Sequence, residues 1–372
     1  MTLSIQPSGV QSGAEKAGSV VPAGVPEEVA FEWEAFLESQ PRGQYQQSVR
    51  WGWVKEGDGW RCRLETWGCG GQLAGGFLLL IKRTRLGRLG FVNKGPVLAE
   101  ETPETVSAAL DRVVRVALEE RLQALIVQPP DASAIGSDEL WGRGFCKSPV
   151  PGIIDATLVA SLEGGSEGIL HRLSRSARRE LRLARERGVR VVEGGPADLP
   201  AFFELMCLTC RRQGARPNPS SVEALRRRWT AFGSNMRLLL ALVGDELVAG
   251  LSLLRFGERC TFEKKGWNGR HAAAFPNTLL NVEAMFRAAE WGCRVVDFCA
   301  IDRSLAERML GGQSVDEDLA KTRHAFNVRL GARPVLLPPA LVRARYGWQR
   351  CWLDWLLARA FISRRLAGSS DG

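Results

Sequence analysis

Tyrosine and histidine are scarce in this sequence, with two Tyr and three His among 372 residues. His171, His271 and His324 fall in no recognisable nucleophile or metal-ligand spacing, so neither a Ser-His or Cys-His hydrolase nor a histidine-ligated metal enzyme is expected. Long apolar runs are missing as well. None approaches the ~18 residues that a membrane-spanning helix requires, so no spanning segment is expected. The nine cysteines have no repeated spacing, which argues against a disulfide framework and fits a reducing compartment. The single CxxC, Cys207 to Cys210, lies among Phe202, Phe203, Leu205, Met206 and Leu208 at helical spacing, and it is read as helix packing without metal or redox chemistry. Residues 1–25 lack a basic start followed by an apolar run and are expected to be a disordered lead, not a signal peptide.

What is present describes a globular chain of two cores. The length suits two domains of ordinary size, and 45% hydrophobic against 24% charged residues excludes disorder throughout. A formal net charge of +9 favours acidic partners such as RNA, nucleotide diphosphates or a membrane surface, although charge alone does not require one. An internal repeat supports duplication. Leu73-Ala74-Gly75-Gly76-Phe77-Leu78-Leu79-Leu80 matches Leu247-Val248-Ala249-Gly250-Leu251-Ser252-Leu253-Leu254, 174 residues later, each copy following a Gly-containing turn. Such runs read as buried strands.

Around them the expected elements alternate: helix 26–39, strands 60–68 and 72–82, helix 103–120 and strand 124–127. The second set comprises helix 166–187, strand 189–192, helices 198–213 and 220–230, strands 236–243 and 246–256, helix 277–291 and strand 294–298. This order predicts an α/β fold with two layered mixed sheets. The helix over 166–187 places Leu170, Leu173, Ala177, Leu181 and Ala184 on one face and Arg175, Arg178, Arg179 and Arg182 on the other. That basic face suits an RNA backbone or simply solvent.

Several segments, in order across most of residues 45–335, resemble the Fem family of aminoacyl-tRNA-dependent transferases. Gln46-Gln47-Ser48-Val49-Arg50-Trp51 with Lys55 is similar to the family's opening signature, and Gly90-Phe91-Val92-Asn93-Lys94-Gly95-Pro96-Val97 to its strand ending in a basic residue and Gly-Pro. Ser174 to Arg182 resembles the Arg-rich helix of the second domain. The most specific piece is Phe275-Pro276-Asn277-Thr278-Leu279-Leu280-Asn281-Val282-Glu283-Ala284, followed by Trp291-Gly292-Cys293 and Asp297-Phe298. The resemblance implies two tandem acyltransferase domains of the N-acetyltransferase (GNAT) type, expected at 26–157 and 158–333, with a C-terminal segment and helix, 334–372, docking back on the first.

The implied activity is transfer of an amino acid from aminoacyl-tRNA to an amine of a peptidoglycan precursor or related envelope acceptor in the cytoplasm. No metal or other cofactor is expected, because the ester is already activated and the reaction needs alignment, a proton acceptor and donors for the oxyanion. The resemblance assigns acceptor contact to Lys55 and Trp51, and the planar donors of Arg211 and Arg212 suit phosphate or carboxylate. Arg175, Arg178, Arg179 and Arg182 are the expected tRNA track. The catalytic candidates are Phe326, Asn327 and Lys321, and here the chain departs from the family, since Asn327 stands where a Lys is usual. Lys321, Arg323 and Arg329 are candidates to restore that charge.

Other departures point the same way. Pro219 to Val222 replaces an aromatic acceptor contact, Ala99 with Glu100 replaces an acidic residue, and two Tyr cannot keep the usual tyrosine contacts. Asp297, at a strand end, reads equally as a site residue or a loop cap. No pyrophosphate loop follows either repeated strand, which weakens an acyl-CoA-dependent N-acyltransferase as the alternative. A noncatalytic tRNA or precursor binder is the third reading. The basic, Trp-rich tail from Ala340 to Leu366 has a helical pattern suited to docking, or to peripheral contact with the inner face of a membrane.

Overall fold

The computed structural model describes residues 20–85, 87–147, 153–320, 322 and 324–345. These fall into two compact units, one formed by 20–155 with 337–345 and the other by 156–336.

In the first unit, helices α1 (Glu27–Ser39) and α2 (Val49–Gly57) precede strands β1 (Arg61–Cys69), β2 (Gln72–Thr84), β3 (Gly87–Asn93) and β4 (Val97–Leu98). Then follow α3 (Pro103–Glu119), β5 (Leu122–Gln128), α4 (Ser137–Trp141) and β6 (Cys146–Lys147). The second unit runs through β7 (Ala156–Ser161), α5 (Gly165–Arg172), α6 (Arg175–Glu186), β8 (Val189–Gly194), α7 (Leu199–Arg212), α8 (Val222–Phe232), β9 (Met236–Val243), β10 (Glu246–Phe256) and β11 (Arg259–Trp267). It continues with α9 (Pro276–Glu290), β12 (Val295–Ala300), α10 (Arg303–Leu310), α11 (Asp316–Ala320), α12 (His324–Arg329) and β13 (Arg333–Leu336). The chain then returns to the first unit as β14 (Leu341–Ala344), paired with β5 and β6.

Each unit holds a mixed sheet, ordered β1-β2-β3-β5-β14-β6 with β4 beside β2 in the first, and β13-β7-β12-β11-β10-β9-β8 in the second. The repeat is real at the level of topology. β2 and β10 each sit between antiparallel neighbours, and the next two strands of each unit, β3 with β5 and β11 with β12, are parallel and joined through a helix, α3 or α9. Gly76 and Gly250, equivalent in the repeat, explain why a glycine recurs there. A Cβ on Gly76 would lie 2.6 Å from the Trp33 ring and one on Gly250 2.6 Å from the Phe202 ring. A fully buried aromatic from the helix packed on the sheet, α1 or α7, thus lies flush on the central strand in each half.

The Gln-Ser and Gly-Pro segments have a structural job in the first unit. Leu78 donates its backbone N–H to Gln47 Oε1 at 2.7 Å, and Gln47 Nε2 donates to the Asn93 carbonyl at 2.7 Å. The amide thereby joins β2 to the end of β3, where their own ladder stops at Leu80 and Phe91. Gly95 is required beside it, because a Cβ there would sit 2.7 Å from the Gln47 amide carbon. Ser48 caps α2 by accepting from Arg50 N–H and donates to the buried Glu34 at 3.0 Å. Burial raises the Glu34 carboxyl above its ordinary value, while Arg50 pulls it down. Gln47→Leu leaves a buried N–H and C=O without partners, and urea denaturation is expected to show a loss of about 2–4 kcal/mol.

Two expectations are corrected. The single helix over 166–187 is two, because Leu173 is extended and Ser174 serves as the N-cap of α6, accepting from Ala177 N–H at 3.1 Å. The helical pattern from Ala340 begins instead as strand β14, held by the open edge of β5; the tail from 346 onward lies outside the described residues.

Candidate active site

The parallel strands of the two units differ in one respect. β3 stays paired with β5 from Arg88 to Asn93, whereas β11 pairs with β12 only through Arg259, Cys260 and Thr261 before the two part. Beyond that point β12 is irregular. Its pairing with β7 slips between Asp297 and Ala300, and Cys299 takes a left-handed φ of 67°, which few non-glycine residues adopt. Asp297 holds this bend, accepting from Thr157 Oγ1 at 2.5 Å, from Arg259 Nη1 at 3.2 Å and from Cys299 N–H at 2.8 Å. These contacts are structural, but they hold Thr157, Arg259 and Cys299 and not the loop from Ile301 that a cap was expected to serve.

Where the strands part, a cavity of about 480 Å³ opens in the second unit. Its floor comes from β11, residues 262–267, and from Phe298, Cys299 and Ala300 of β12. Its sides come from Met206, Thr209 and Cys210 of α7, Gln213 just after it, Asn277 and Asn281 of α9, and His324, Phe326 and Asn327 of α12. The Pro-Asn helix start therefore has a purpose. Phe275 in a left-handed conformation, φ 54°, leads into Pro276 at the first helical position, and the next turn places Asn277 and Asn281 in the wall. Asn281 Nδ2 donates to the Asn277 carbonyl at 2.8 Å and its Oδ1 accepts from Lys265 Nζ at 2.9 Å. That ammonium also stands 5.1 Å from the Phe298 ring centroid and 5.5 Å from that of Phe262, which fixes a charge over aromatic faces.

The sequence candidates separate into several places. Phe326 and Asn327 line the cavity, and Asn327 is buried. Lys321 and Arg323 lie outside the described residues. Arg329 turns to an ion pair with Glu180, whose other oxygen accepts from Thr278 Oγ1 at 2.7 Å. Arg212 stacks its guanidinium 5.1 Å from the Trp267 ring and donates to the Trp267 carbonyl, so it backs a lining residue, while Arg211 is exposed at the end of α7. Arg175, Arg178, Arg179 and Arg182 are all exposed on α6, Arg182 lying 3.5 Å from Glu186.

Lys55 and Trp51 lie on α2 of the first unit, outside this cavity. Lys55 Nζ is 2.8 Å from Asp58 and 4.8 Å above the Trp51 ring, and Trp51 is only 8% exposed, so it serves as a platform under the ammonium.

Sequence reasoning missed the residues that bring most charge to the cavity: Glu263, Lys264 and Lys265 on β11. Glu263 pairs with Arg228 of α8, both side chains about 5% exposed at 6% and 5%. The CxxC proves to be packing in part, with Cys210 at the cavity wall and its thiol raised by burial and by Cys207. Cys62, Cys146, Cys207, Cys210, Cys260, Cys293 and Cys299 are free, and no three His, Cys, Asp or Glu converge as a metal site among the described residues.

Burial raises the Cys62 and Cys299 thiols from 9.0 to about 12. Each stays protonated in the fold when it would ionise in the unfolded chain, so the contribution to stability is complete below pH 9.0 and is lost as pH rises towards about 12. Iodoacetamide at pH 8 is accordingly expected to label the buried Cys62 only after unfolding, as read by peptide mass spectrometry.

Comparison with known proteins agrees with this architecture. Residues 27–137 match the FemAB family and residues 171–305 the acetyltransferase (GNAT) domain. The lipid II:glycine glycyltransferase of Staphylococcus aureus is 28% identical over 195 residues, 49% of this chain and 46% of the relative. The chain thus spans about half the length of the curated relatives it matches. Among solved structures, FemX superposes with a TM-score of 0.75 at 17% identity, covering 87% of this chain and 98% of FemX. A tandem GNAT protein from the clavulanic acid biosynthesis pathway gives 0.50 at 13% identity, covering 87% and 97%. The fold is that of tandem GNAT-like domains, and the Fem-family resemblance read from the sequence is borne out.

Proposed function

We propose that this chain is an aminoacyltransferase that moves an amino acid from aminoacyl-tRNA onto an amine of a peptidoglycan precursor, with the chemistry in the cavity between β11 and β12. The observation that carries the reading is that cavity: an opening walled by aromatic rings, asparagine amides and a fixed ammonium, in a chain whose halves match the FemAB family and the GNAT domain. In the reaction the acceptor nitrogen attacks the ester carbonyl carbon of the donor. A C–N bond forms, the C–O bond to the ribose breaks, and the proton leaving the amine ends on the departing ribose hydroxyl. Negative charge builds on the carbonyl oxygen in between.

Lys265 supplies the positive charge for that oxygen in place of the lysine that Asn327 replaces, and the Asn327 amide adds a donor. The two line the same cavity. Phe262, Phe298 and Phe326 keep bulk water from the ester and so strengthen both interactions. The exposed arginines of α6 track the tRNA backbone, and Arg211 meets the anionic part of the acceptor. The step needs no metal, since the donor ester is already activated.

The curated relative is named for lipid II, and the acceptor here is a muropeptide joined to a lipid or nucleotide. Among the described residues no helix is long and apolar enough to cross a membrane. The test is incubation of the purified protein with a panel of charged tRNAs and a muropeptide precursor. Label is expected to move from at least one aminoacyl-tRNA to the precursor amine. Transfer from acyl-CoA donors alone would replace the reading with the acyl-CoA alternative.

A further inference from the structure

Resting on that reading, we infer that Glu263 binds the α-ammonium group of the donor amino acid, and that the cavity thereby selects donors bearing a free α-amine. β11 carries a bulge: Ser252 of β10 faces Lys264, and its neighbour Leu253 faces Phe262, which leaves Glu263 as the extra residue. Bulges re-aim a side chain out of the strand's alternation. Here the result is a carboxylate at the cavity wall whose side chain is 6% exposed. One oxygen, Oε1, is held by Arg228 Nη1. The other, Oε2, is buried with no hydrogen-bond partner among the described residues. A buried carboxylate oxygen without a donor is costly, and natural folds keep one where a partner arrives from outside.

The surroundings narrow what that partner is. Glu263 is the only carboxylate among the described residues lining the cavity, and Lys264 and Lys265 stand next to it in sequence and in the wall. One carboxylate beside two ammonium groups is a poor divalent-cation site, which wants several oxygen ligands and little competing charge. It suits a molecule with a small cationic donor at one end and anionic or neutral groups at the other. An aminoacyl ester on a nucleic acid has that polarity, with the ammonium one carbon from the reacting carbonyl and phosphates beyond the ribose. The ammonium takes the unpartnered Glu263 oxygen, and the lysines face the oxyanion and the nucleic acid.

The test compares two donors with the same side chain on the same tRNA, an aminoacyl ester and its α-hydroxyacyl counterpart, in which a neutral hydroxyl replaces the ammonium. The wild-type protein is expected to use the aminoacyl donor with a kcat/KM roughly 10- to 100-fold higher, the range for a charged hydrogen bond lost. In Glu263→Gln the ratio falls to within about threefold of unity. Because that variant removes the carboxylate that Arg228 pairs with, the double variant Arg228→Gln with Glu263→Gln, which removes both charges, is measured beside it and is expected to lose the same preference. A wild-type ratio near one, or a preference kept in either variant that turns over, overturns the inference while leaving the transferase reading intact. No transfer from either donor by the wild-type protein overturns the reading itself and this inference with it.

Discussion

Arg228→Ala is expected to destabilise the unit of residues 156–336 by about 3–5 kcal/mol, among the largest effects of any single substitution in this chain. Arg228 is 4% exposed on α8, and its guanidinium meets Glu263 of β11. Truncation leaves the carboxylate in a region of low dielectric with its compensating charge gone. Desolvation of a charge outweighs the modest attraction that a surface pair would supply, so the cost comes from the orphaned partner. Removing both charges together, in Arg228→Gln with Glu263→Gln, is expected to cost much less. Urea denaturation followed by tryptophan fluorescence reads both, and a loss below about 1 kcal/mol for Arg228→Ala would mean that water reaches the pair.

Lys265→Met is expected to lower kcat/KM for aminoacyl transfer by about 10²- to 10³-fold while the protein stays folded. The ammonium is fixed from two sides, by Asn281 Oδ1 at 2.9 Å and by the Phe298 and Phe262 rings. A charge held in place before the reaction needs no reorganisation when the carbonyl oxygen becomes negative, which is why its removal is felt in the rate. Methionine fills a similar volume against the same rings without the charge. A change within about threefold would show that another group carries the oxyanion. Asn327→Lys, restoring the residue the family usually has, would then be the informative partner variant.

Much of the fold was legible in the sequence because the strongest signals were apolar and repeated. The runs at 73–80 and 247–254 became β2 and β10, and Gly76 and Gly250 turned out to face Trp33 and Phe202 in equivalent ways. Phe326 and Asn327 were found through the family resemblance, and the structure brings them together with Asn277 and Asn281 of the Pro-Asn helix. What the sequence hid is β11. No element was expected over its Glu263-Lys264-Lys265 run, where the bulge at Glu263 breaks the strand alternation and three charges follow one another. Glu263 instead meets Arg228, and Lys265 meets Asn281 and aromatic faces, partners distant in the chain. The break at Leu173 and Ser174 was hidden for another reason: a serine cap inside a continuous amphipathic pattern looks like one more polar position.

The most direct test of the account asks where the aminoacyl end of the donor rests. A stable amide analogue of 3′-aminoacyl-adenosine carrying a photoreactive amino acid side chain is cross-linked to the purified protein, and the labelled peptides are sequenced. Label is expected on residues 262–267 and on the segment around Phe326 and Asn327, reduced by excess aminoacyl-tRNA. Label confined to residues 20–155, with none on β11 or α12, would contradict it.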